Sequence, residues 1–313
     1  MRLRPMEIRD LLDEAIALYR HNFVTYVVIV AVVRLPLTLV QGLQYLYMEQ
    51  AGILQGMTDP FGLEPGGPII RVDIGTLLAL ELISLVGGLI IWFGNSVSGG
   101  ALAYGISQRY LGEDVTIGSA YRFIVRRLWR LLGVSILVGL VIAIVGMAGA
   151  MLLAAVGALI AAAIGGWTSM PLGMAIGAVL GAIPAVIPAV WFAFYVPVVV
   201  VEDLGGIENM RRSYALVRGA FWRVAGALAM LAIMAFVAPV LLVTLPVAKI
   251  GEQWLSGVIS QAGVLTVTQV CHQAALVLML PVWMSGVVML YYDVRIRREA
   301  FDLEVLAREF ATA

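Results

Sequence analysis

The sequence predicts an all-α integral membrane protein with six transmembrane helices. Of its 313 residues, 62% are hydrophobic and only 13% are charged, whereas a soluble domain carries roughly a quarter charged residues. Six segments are also long and apolar enough to cross a bilayer, which requires about 20 such residues per helix. The charged residues collect in the segments outside these six.

The predicted spans cover residues 23–48, 74–108, 131–164, 170–201, 222–248 and 262–292. Four other segments hold 17 of the 20 basic residues: 1–22, 109–130, 202–223 and the tail after the sixth span. By the positive-inside rule these four face the cytoplasm. We therefore expect a multi-pass protein of the cell membrane with both termini cytoplasmic, and an even number of spans agrees with that. Acidic residues from Asp10 to Glu14 argue against a signal peptide, so the first span is expected to direct insertion.

The third and fourth spans are predicted to pack as an antiparallel pair. Residues 131–164 are an unbroken apolar run, which as a helix is about 51 Å long, against about 30 Å for the hydrocarbon core. A strong tilt, a kink, or a hairpin protruding on the outer side would each accommodate the excess. Small residues recur every four positions from Gly146 to Ala162 and from Gly173 to Ala193. Such stripes let two helices approach closely when they face each other.

Each of the first three basic segments carries an apolar stripe with helical spacing. In 202–223 the stripe includes Ile207, Met210 and Tyr214, with arginines on the opposite face. The spacing predicts amphipathic helices. These lie either in the headgroup region or beneath the bundle as a structural floor.

Two of these segments also match each other. "SAYRFIVRRLWRLLG" and "RSYALVRGAFWRVAG" share a Tyr, a Trp-Arg pair eight residues later and a Gly four residues after the Trp. The match predicts three repeats, each an interfacial amphipathic helix followed by a helical hairpin. The repeat units are about 1–108, 109–201 and 202–313, within a single membrane domain of residues 1–313.

Polar side chains inside the spans form the first candidate site. Arg34 lies near the middle of the first span, where an uncompensated arginine is costly, and Glu81 is its expected partner. These groups either tie helices together or surround a polar cavity among spans one, two and six that holds an anionic headgroup or small solute. The candidate site comprises Arg34, Glu81, Asn95, Gln269, His272 and Gln273.

The charged run after the sixth span forms the second candidate site. Its position predicts a latch, in which the tail pairs with arginines of the other cytoplasmic helices and with anionic headgroups. A docking site for a partner protein is the alternative. The expected latch and headgroup contacts are Arg126, Arg127, Arg211, Arg212, Asp293, Arg295, Arg298, Glu299 and Asp302.

Three stretches resemble the membrane domain associated with bacterial glycerophosphoryl diester phosphodiesterases and its stand-alone relatives. They are "EIRDLLDEAIALYRHNF" at 7–23, "VVVVEDLGGIENMRRSYALVRGAFWRV" at 198–224 and "LYYDVRIRREAFDLE" at 290–304. In fused members of that family the membrane domain precedes a soluble catalytic barrel. Only residues 302–313 follow "RIRREAF", too few for a barrel. The resemblance therefore implies a membrane module of the bacterial inner membrane without the phosphodiesterase activity.

Other features of the sequence argue against an enzyme. It has no nucleophile–His–acid arrangement and no phosphate-binding glycine loop followed by Lys. One cysteine and two distant histidines leave no cysteine-rich or histidine-rich metal site. We expect a non-enzymatic scaffold or accessory module that binds lipid or a protein partner, without cofactor, metal or nucleic acid. The alternative is a transporter or lipid-translocating protein that uses the polar site around Arg34.

Overall fold

The protein is helical throughout the described residues, with no strand among them. The computed structural model describes residues 7–50, 74–166, 169–255 and 257–299. Six helical segments are long and apolar enough to cross a membrane, as predicted: Phe23–Gln50, Leu82–Tyr110, Leu128–Gly165, Met170–Glu202, Phe221–Leu255 and Gln261–Glu299. The chain is therefore a multi-pass membrane protein.

The first half of the chain consists of uninterrupted helices. In order, they are α1 (Ile8–His21), α2 (Phe23–Gln50), α3 (Ile74–Tyr110), α4 (Ile117–Arg126) and α5 (Leu128–Gly165). Helix α5 has 38 residues and is about 57 Å long. Because it is a continuous α-helix without proline, a kink in α5 is not how its excess length over the bilayer core is accommodated.

The second half contains interrupted spans. The fourth span is α6 (Met170–Ala182), a 3₁₀ turn (Ile183–Ala185), α7 (Val186–Trp191) and α8 (Tyr195–Glu202), followed by the short helix α9 (Gly206–Arg218). The fifth span is α10 (Phe221–Ala232), π segments Ile233–Val237 and Val240–Thr244, α11 (Leu245–Ile250) and a third π segment, Gly251–Leu255. The sixth is α12 (Gln261–Glu299).

Prolines account for the position of several interruptions. Pro184 and Pro188 lie at the break between α6 and α7, and Pro239 and Pro246 lie in the irregular part of the fifth span. Proline has no amide hydrogen and cannot continue the regular bonding pattern of an α-helix. A membrane helix tolerates such breaks only when neighbouring groups satisfy the freed backbone.

The three predicted amphipathic helices are α1, α4 and α9. Each precedes a span and buries part of one face, represented by Leu11, Ile124 and Leu216. Helix α4 begins at a reciprocal cap: the Ser119 amide donates to Thr116 Oγ1 at 3.2 Å, and the Thr116 amide donates to Ser119 Oγ at 3.1 Å. Side-chain oxygens of this kind satisfy amides that have no partner within the helix.

The described chain forms two compact units. Unit 1 comprises the described parts of Met1–Leu11, Ile124–Leu228 and Val287–Ala313, and unit 2 comprises those of Leu12–Phe123 and Ala229–Gly286. The largest fully buried side chains of unit 1 include Phe194, Leu216, Tyr291 and Tyr292. Those of unit 2 include Tyr26, Ile29, Leu102 and Ile106.

In unit 1, helices α5 and α6 form an antiparallel pair held by small residues. A Cβ on Gly177 would collide with the Leu153 carbonyl, and one on Gly181 with the Gly149 carbonyl. Gly173 meets the Gly157 backbone in the same way. The two backbones touch, which explains why glycine occupies these positions.

The contact extends beyond the predicted stripe on one helix and ends earlier on the other. Gly149 and Gly157 lie outside the four-residue series that predicted the α5 stripe, yet both touch α6. On the other side, Ala185 is the last of its series in close contact, opposite Gly146, while Ala189 is exposed.

Candidate functional site

The candidate site in the charged run after the sixth span lies in unit 1, where α8, α9 and the end of α12 meet. We call it the Arg212 cluster: Glu202, Arg212, Tyr291, Arg295 and Glu299. Glu202 accepts hydrogen bonds of 2.6 Å from Arg212 Nε and from the Tyr291 hydroxyl. Arg212 also donates two bonds to Glu299, and Arg295 donates one of 3.2 Å. The two carboxylates, Glu299 before Glu202, raise the pKa of Arg212 despite its partial burial.

A second pairing joins the end of the fourth span to the start of α5. Asp203 adopts the left-handed conformation, with φ of 56°, immediately after α8. Its carboxylate accepts a 2.6 Å bond from Arg127 Nε and forms an ion pair with Arg130. The hydrogen bond from Arg130 is the main reason that the pKa of Asp203 lies below its usual value, and Arg127 lowers it further.

Asp293 forms a third pairing within unit 1, different from the one that the sequence analysis anticipated. Its side chain is fully buried and accepts hydrogen bonds from Arg223 Nη2 at 3.0 Å and from Arg297 Nε at 3.0 Å. The sequence analysis expected Arg126, Arg127, Arg211 or Arg212 as its partners. The buried face of α12 at this level instead meets the start of α10, where Arg223 lies.

The remaining latch residues fall into two groups. Arg298 donates to the carbonyl oxygens of Ala215 and Leu216, and the Leu216 bond is 3.0 Å. It therefore caps the carboxyl end of α9, where a cation is favourable. Arg126 and Arg211 are exposed, and neither forms an ion pair with a described residue. Asp302 lies outside the described residues.

Polar side chains of α9 that the sequence analysis did not select repair the break between α7 and α8. Ser213 donates to the Trp191 carbonyl at 2.9 Å and accepts from the Phe194 amide at 3.2 Å. Asn209 donates to the Tyr195 and Leu204 carbonyls at 3.0 and 3.2 Å. Both side chains are fully buried. Their only sequence signal is a polar residue on the apolar face of an amphipathic helix.

Two tryptophans mark the starts of spans in unit 1. Trp129 is 83% exposed and Trp222 is 85% exposed, and each is the second residue of its helix, α5 and α10. A large aromatic ring held outward at the end of a membrane span is typical of the headgroup boundary.

The candidate site inside the spans is a polar network in unit 2 that joins α2 to α12. Arg34 Nη1 donates to Gln273 Oε1 at 2.8 Å. The amide nitrogens of Gln273 and Gln269 both donate to Gln41 Oε1, at 2.8 and 2.9 Å. Gln41 is a member of the site that the sequence analysis missed, although it lies seven residues after Arg34 and therefore on the same helix face.

Two polar atoms near this network have no hydrogen-bond partner in the described part of the chain. One is Arg34 Nε and the other is Asn95 Oδ1, and both atoms are buried. Asn95 follows Gly94, whose position packs against Val33 and Leu37, so it lies at the level of Arg34. The expected pair between Arg34 and Glu81 cannot be placed here, because the side chain of Glu81 lies outside the described part of the structure.

His272 lies beside the network and has a different partner. Its Nδ1 is 2.9 Å from the Thr244 hydroxyl. Thr244 ends the π segment Val240–Thr244, in which the helix is wider than an α-helix. Segments of this kind often occur at functional sites. Arg34, Gln273 and Gln269 thus share one network, while His272 joins α12 to the fifth span.

The two sites share the same kinds of polar group. The described residues contain no group of three or more His, Cys, Asp and Glu side chains that could hold a metal ion. Both sites consist mainly of arginines, carboxylates and amides that fix one another by hydrogen bonds. Among the described residues, Arg34, Arg126, Arg211 and Arg218 form no ion pair with a carboxylate and are able to receive an anion.

Comparison with known proteins identifies a family and nothing more specific. A family model described as a domain of unknown function, DUF7847, matches residues 6–296. No curated protein and no solved structure matches the chain. The family match does not link the chain to glycerophosphoryl diester phosphodiesterases, so that resemblance stays a prediction.

Proposed function

Because this chain belongs to the DUF7847 family of unknown function, we propose a function from its own chemistry. We infer that it is a non-enzymatic multi-pass module of the cytoplasmic membrane that binds anionic lipid headgroups at its cytoplasmic face. In this role it serves as a scaffold or accessory protein within the membrane. The resemblance to the membrane domain of phosphodiesterases is no part of this proposal.

The observation that carries this proposal is the surface of unit 1 around the starts of α5 and α10. Arg126, Arg211 and Arg218 are exposed and form no ion pair with a described residue. Trp129 and Trp222 are exposed at the first turns of the two spans. Arginines near an anionic membrane surface gain about 1 kcal/mol each, and tryptophan is favourable at the same depth.

The paired charges of unit 1 support this surface. The carboxylates of Glu202, Asp203, Asp293 and Glu299 are bonded to arginines of the same unit. They are therefore engaged internally and do not compete with lipid for the exposed arginines.

The proposed orientation places both termini and the Arg212 cluster in the cytoplasm, as the positive-inside rule predicts. The proposed architecture is three repeats, each an amphipathic helix followed by a hairpin. Corresponding positions of the second and third repeats support it. Trp129 and Trp222 are almost equally exposed, and Gly133 and Gly226 both have open space where a Cβ would project.

Lipid retention tests the proposal. The full chain would be purified from membranes containing phosphatidylglycerol, and its bound lipid measured by native mass spectrometry. The triple variant Arg126→Gln, Arg211→Gln, Arg218→Gln should retain several-fold less phosphatidylglycerol than wild type, while its melting temperature stays close to that of wild type.

The matched control replaces the same three arginines with lysine, which keeps the charge and should keep most of the lipid. Lys249→Gln, at an exposed cation on the predicted outer side, should also have no effect. If wild type and the glutamine triple variant retained equal amounts of phosphatidylglycerol, the proposal that this surface binds headgroups would be wrong.

A further inference from the structure

We propose that Arg34 is the cation of an intramembrane site for one oxyanion, the phosphate of either a lipid headgroup or a small solute. This site is in unit 2 and is independent of the headgroup surface proposed for unit 1. Its ligand class follows from the charge, the hydrogen-bonding capacity and the depth of the groups around Arg34.

The depth of Arg34 makes its charge significant. It lies about 16 Å along α2 from Phe23, in a span whose neighbouring residues are apolar. An arginine at this depth is costly unless an anion, backbone carbonyls or water compensates its charge. The groups around Arg34 therefore determine whether its charge is compensated within the protein.

The described neighbours of Arg34 supply dipoles but no negative charge. Its only described side-chain partner is the amide oxygen of Gln273, at 2.8 Å. The amide nitrogen of Gln273 is held by Gln41 Oε1, which also accepts from Gln269. This arrangement fixes the Gln273 carbonyl toward Arg34, so the site is pre-organised to hold the guanidinium in one position.

The guanidinium keeps donors for a ligand. Arginine has five N–H donors and no acceptor, and the buried Nε of Arg34 has no hydrogen-bond partner among the described residues. The Thr38 hydroxyl, one turn away, is already engaged with the Arg34 carbonyl at 2.9 Å. No carboxylate of the described residues forms an ion pair with Arg34. A planar fork with free donors matches the paired oxygens of a phosphate or carboxylate group.

Asn95 narrows the ligand class. Its buried Oδ1 is an acceptor that no described group bonds to, and it lies at the level of Arg34. A site with one free donor group and one free acceptor complements a ligand that has both anionic oxygens and a hydroxyl. Monoprotonated phosphate and the glycerol phosphate headgroup both meet this requirement, whereas a halide does not.

Thermal unfolding of the full chain in an uncharged detergent tests the site. Inorganic phosphate, added at constant ionic strength, and phosphatidylglycerol, compared with phosphatidylcholine, are the two probes. At least one should raise the melting temperature of wild type. Arg34→Leu should weaken the apparent affinity at least about tenfold, while the matched control Lys249→Gln, at an exposed cation, should respond like wild type.

A second variant keeps the test valid if Arg34→Leu does not fold. Gln273→Glu would place a carboxylate where the structure has the amide oxygen that accepts from Arg34. This internal anion should raise the melting temperature in ligand-free buffer and remove the part of the response to each probe that Arg34→Leu also removes. If the rise in melting temperature that depends on Arg34 is seen with phosphate, the site binds a small solute. If it is seen with phosphatidylglycerol alone, the site binds a lipid headgroup.

Two results would overturn the proposal. In the first, wild type, Arg34→Leu and Gln273→Glu respond identically to both probes. In the second, Glu81→Gln destabilises the protein as much as Arg34→Leu, and the double variant is no worse than either. That coupling would show that Glu81, and no external ligand, neutralises Arg34.

Discussion

Arg212 donates two parallel hydrogen bonds to the two carboxylate oxygens of Glu299, 2.5 and 2.7 Å long. The pair joins α9 to the end of α12, 87 residues later in the chain. Two-bonded arginine–carboxylate pairs are the most directional ion pairs in proteins. The dense charge after the sixth span is thus used to attach α12 to the short helices of unit 1, which is the arrangement expected of a latch.

Truncation should separate the latch from the residues beyond it. Deleting residues 294–313 removes Arg295, Arg298 and Glu299 and should lower the amount of folded protein in the membrane and its melting temperature. Deleting 309–313 should change neither, since chain ends tolerate loss. Normal accumulation and melting of the longer deletion, with loss of a co-purifying protein, would instead identify a docking segment.

Asp293→Asn should destabilise the protein strongly. The carboxylate is fully buried between Arg223 and Arg297, and removing one partner from a buried ion pair costs about 3 kcal/mol or more. Asp203→Asn is the matched control, because that carboxylate is half-exposed and exposed pairs contribute about 0–1 kcal/mol. Chemical denaturation of both variants gives the comparison, and equal losses would contradict the assigned burial.

Gly177→Ala should separate α5 from α6. The added methyl group would collide with the Leu153 carbonyl, which belongs to the backbone and cannot rotate away. We expect a loss of about 1–3 kcal/mol in unfolding free energy. Gly139→Ala is the control within α5, because its position is open and alanine favours a helix by up to about 1 kcal/mol. Equal behaviour of the two variants would contradict the close helix contact.

Acidification should remove the stabilisation of the folded protein that the Asp203 carboxylate provides. Its pKa is lower in the folded protein than in the unfolded chain because of Arg130 and Arg127. The stabilisation is therefore complete above the unfolded value of about 3.9 and disappears as pH falls through the lower folded pKa. The difference in melting temperature between wild type and Asp203→Asn should be constant from neutral pH to about pH 5 and should shrink below about pH 4. If this difference grew on acidification, the pKa of Asp203 could not be lower in the folded protein than in the unfolded chain.

Cysteine labelling should reveal the orientation. In a Cys271→Ala background, a membrane-impermeant reagent applied from outside should modify a cysteine at Gln253, which is exposed in the last turn of the fifth span. It should not modify one at Glu208 in α9. Labelling at Glu208 alone would place the basic segments on the outer side and contradict the positive-inside prediction.

The sequence alone was sufficient for the spans and the short amphipathic helices. Both depend on properties of a contiguous segment, namely apolar length and helical periodicity. For that reason the six spans agree with the predicted ones within a few residues at most ends, and α1, α4 and α9 lie inside the three predicted basic segments. The larger disagreements are the start of the second span, at Leu82, and the ends of the fifth and sixth spans, at Leu255 and Glu299.

The tertiary structure decided which side chains meet. Asp293 pairs with Arg223 and not with the arginines expected from the sequence, and Gln41 connects Gln269 to Gln273. These pairs are separated by 70 to 232 residues, and each depends on how two helices are rotated about their own axes. Hydropathy shows that a helix crosses the membrane, but that rotation results from packing among many side chains. Partners in both sites could therefore be identified only once the helices were packed.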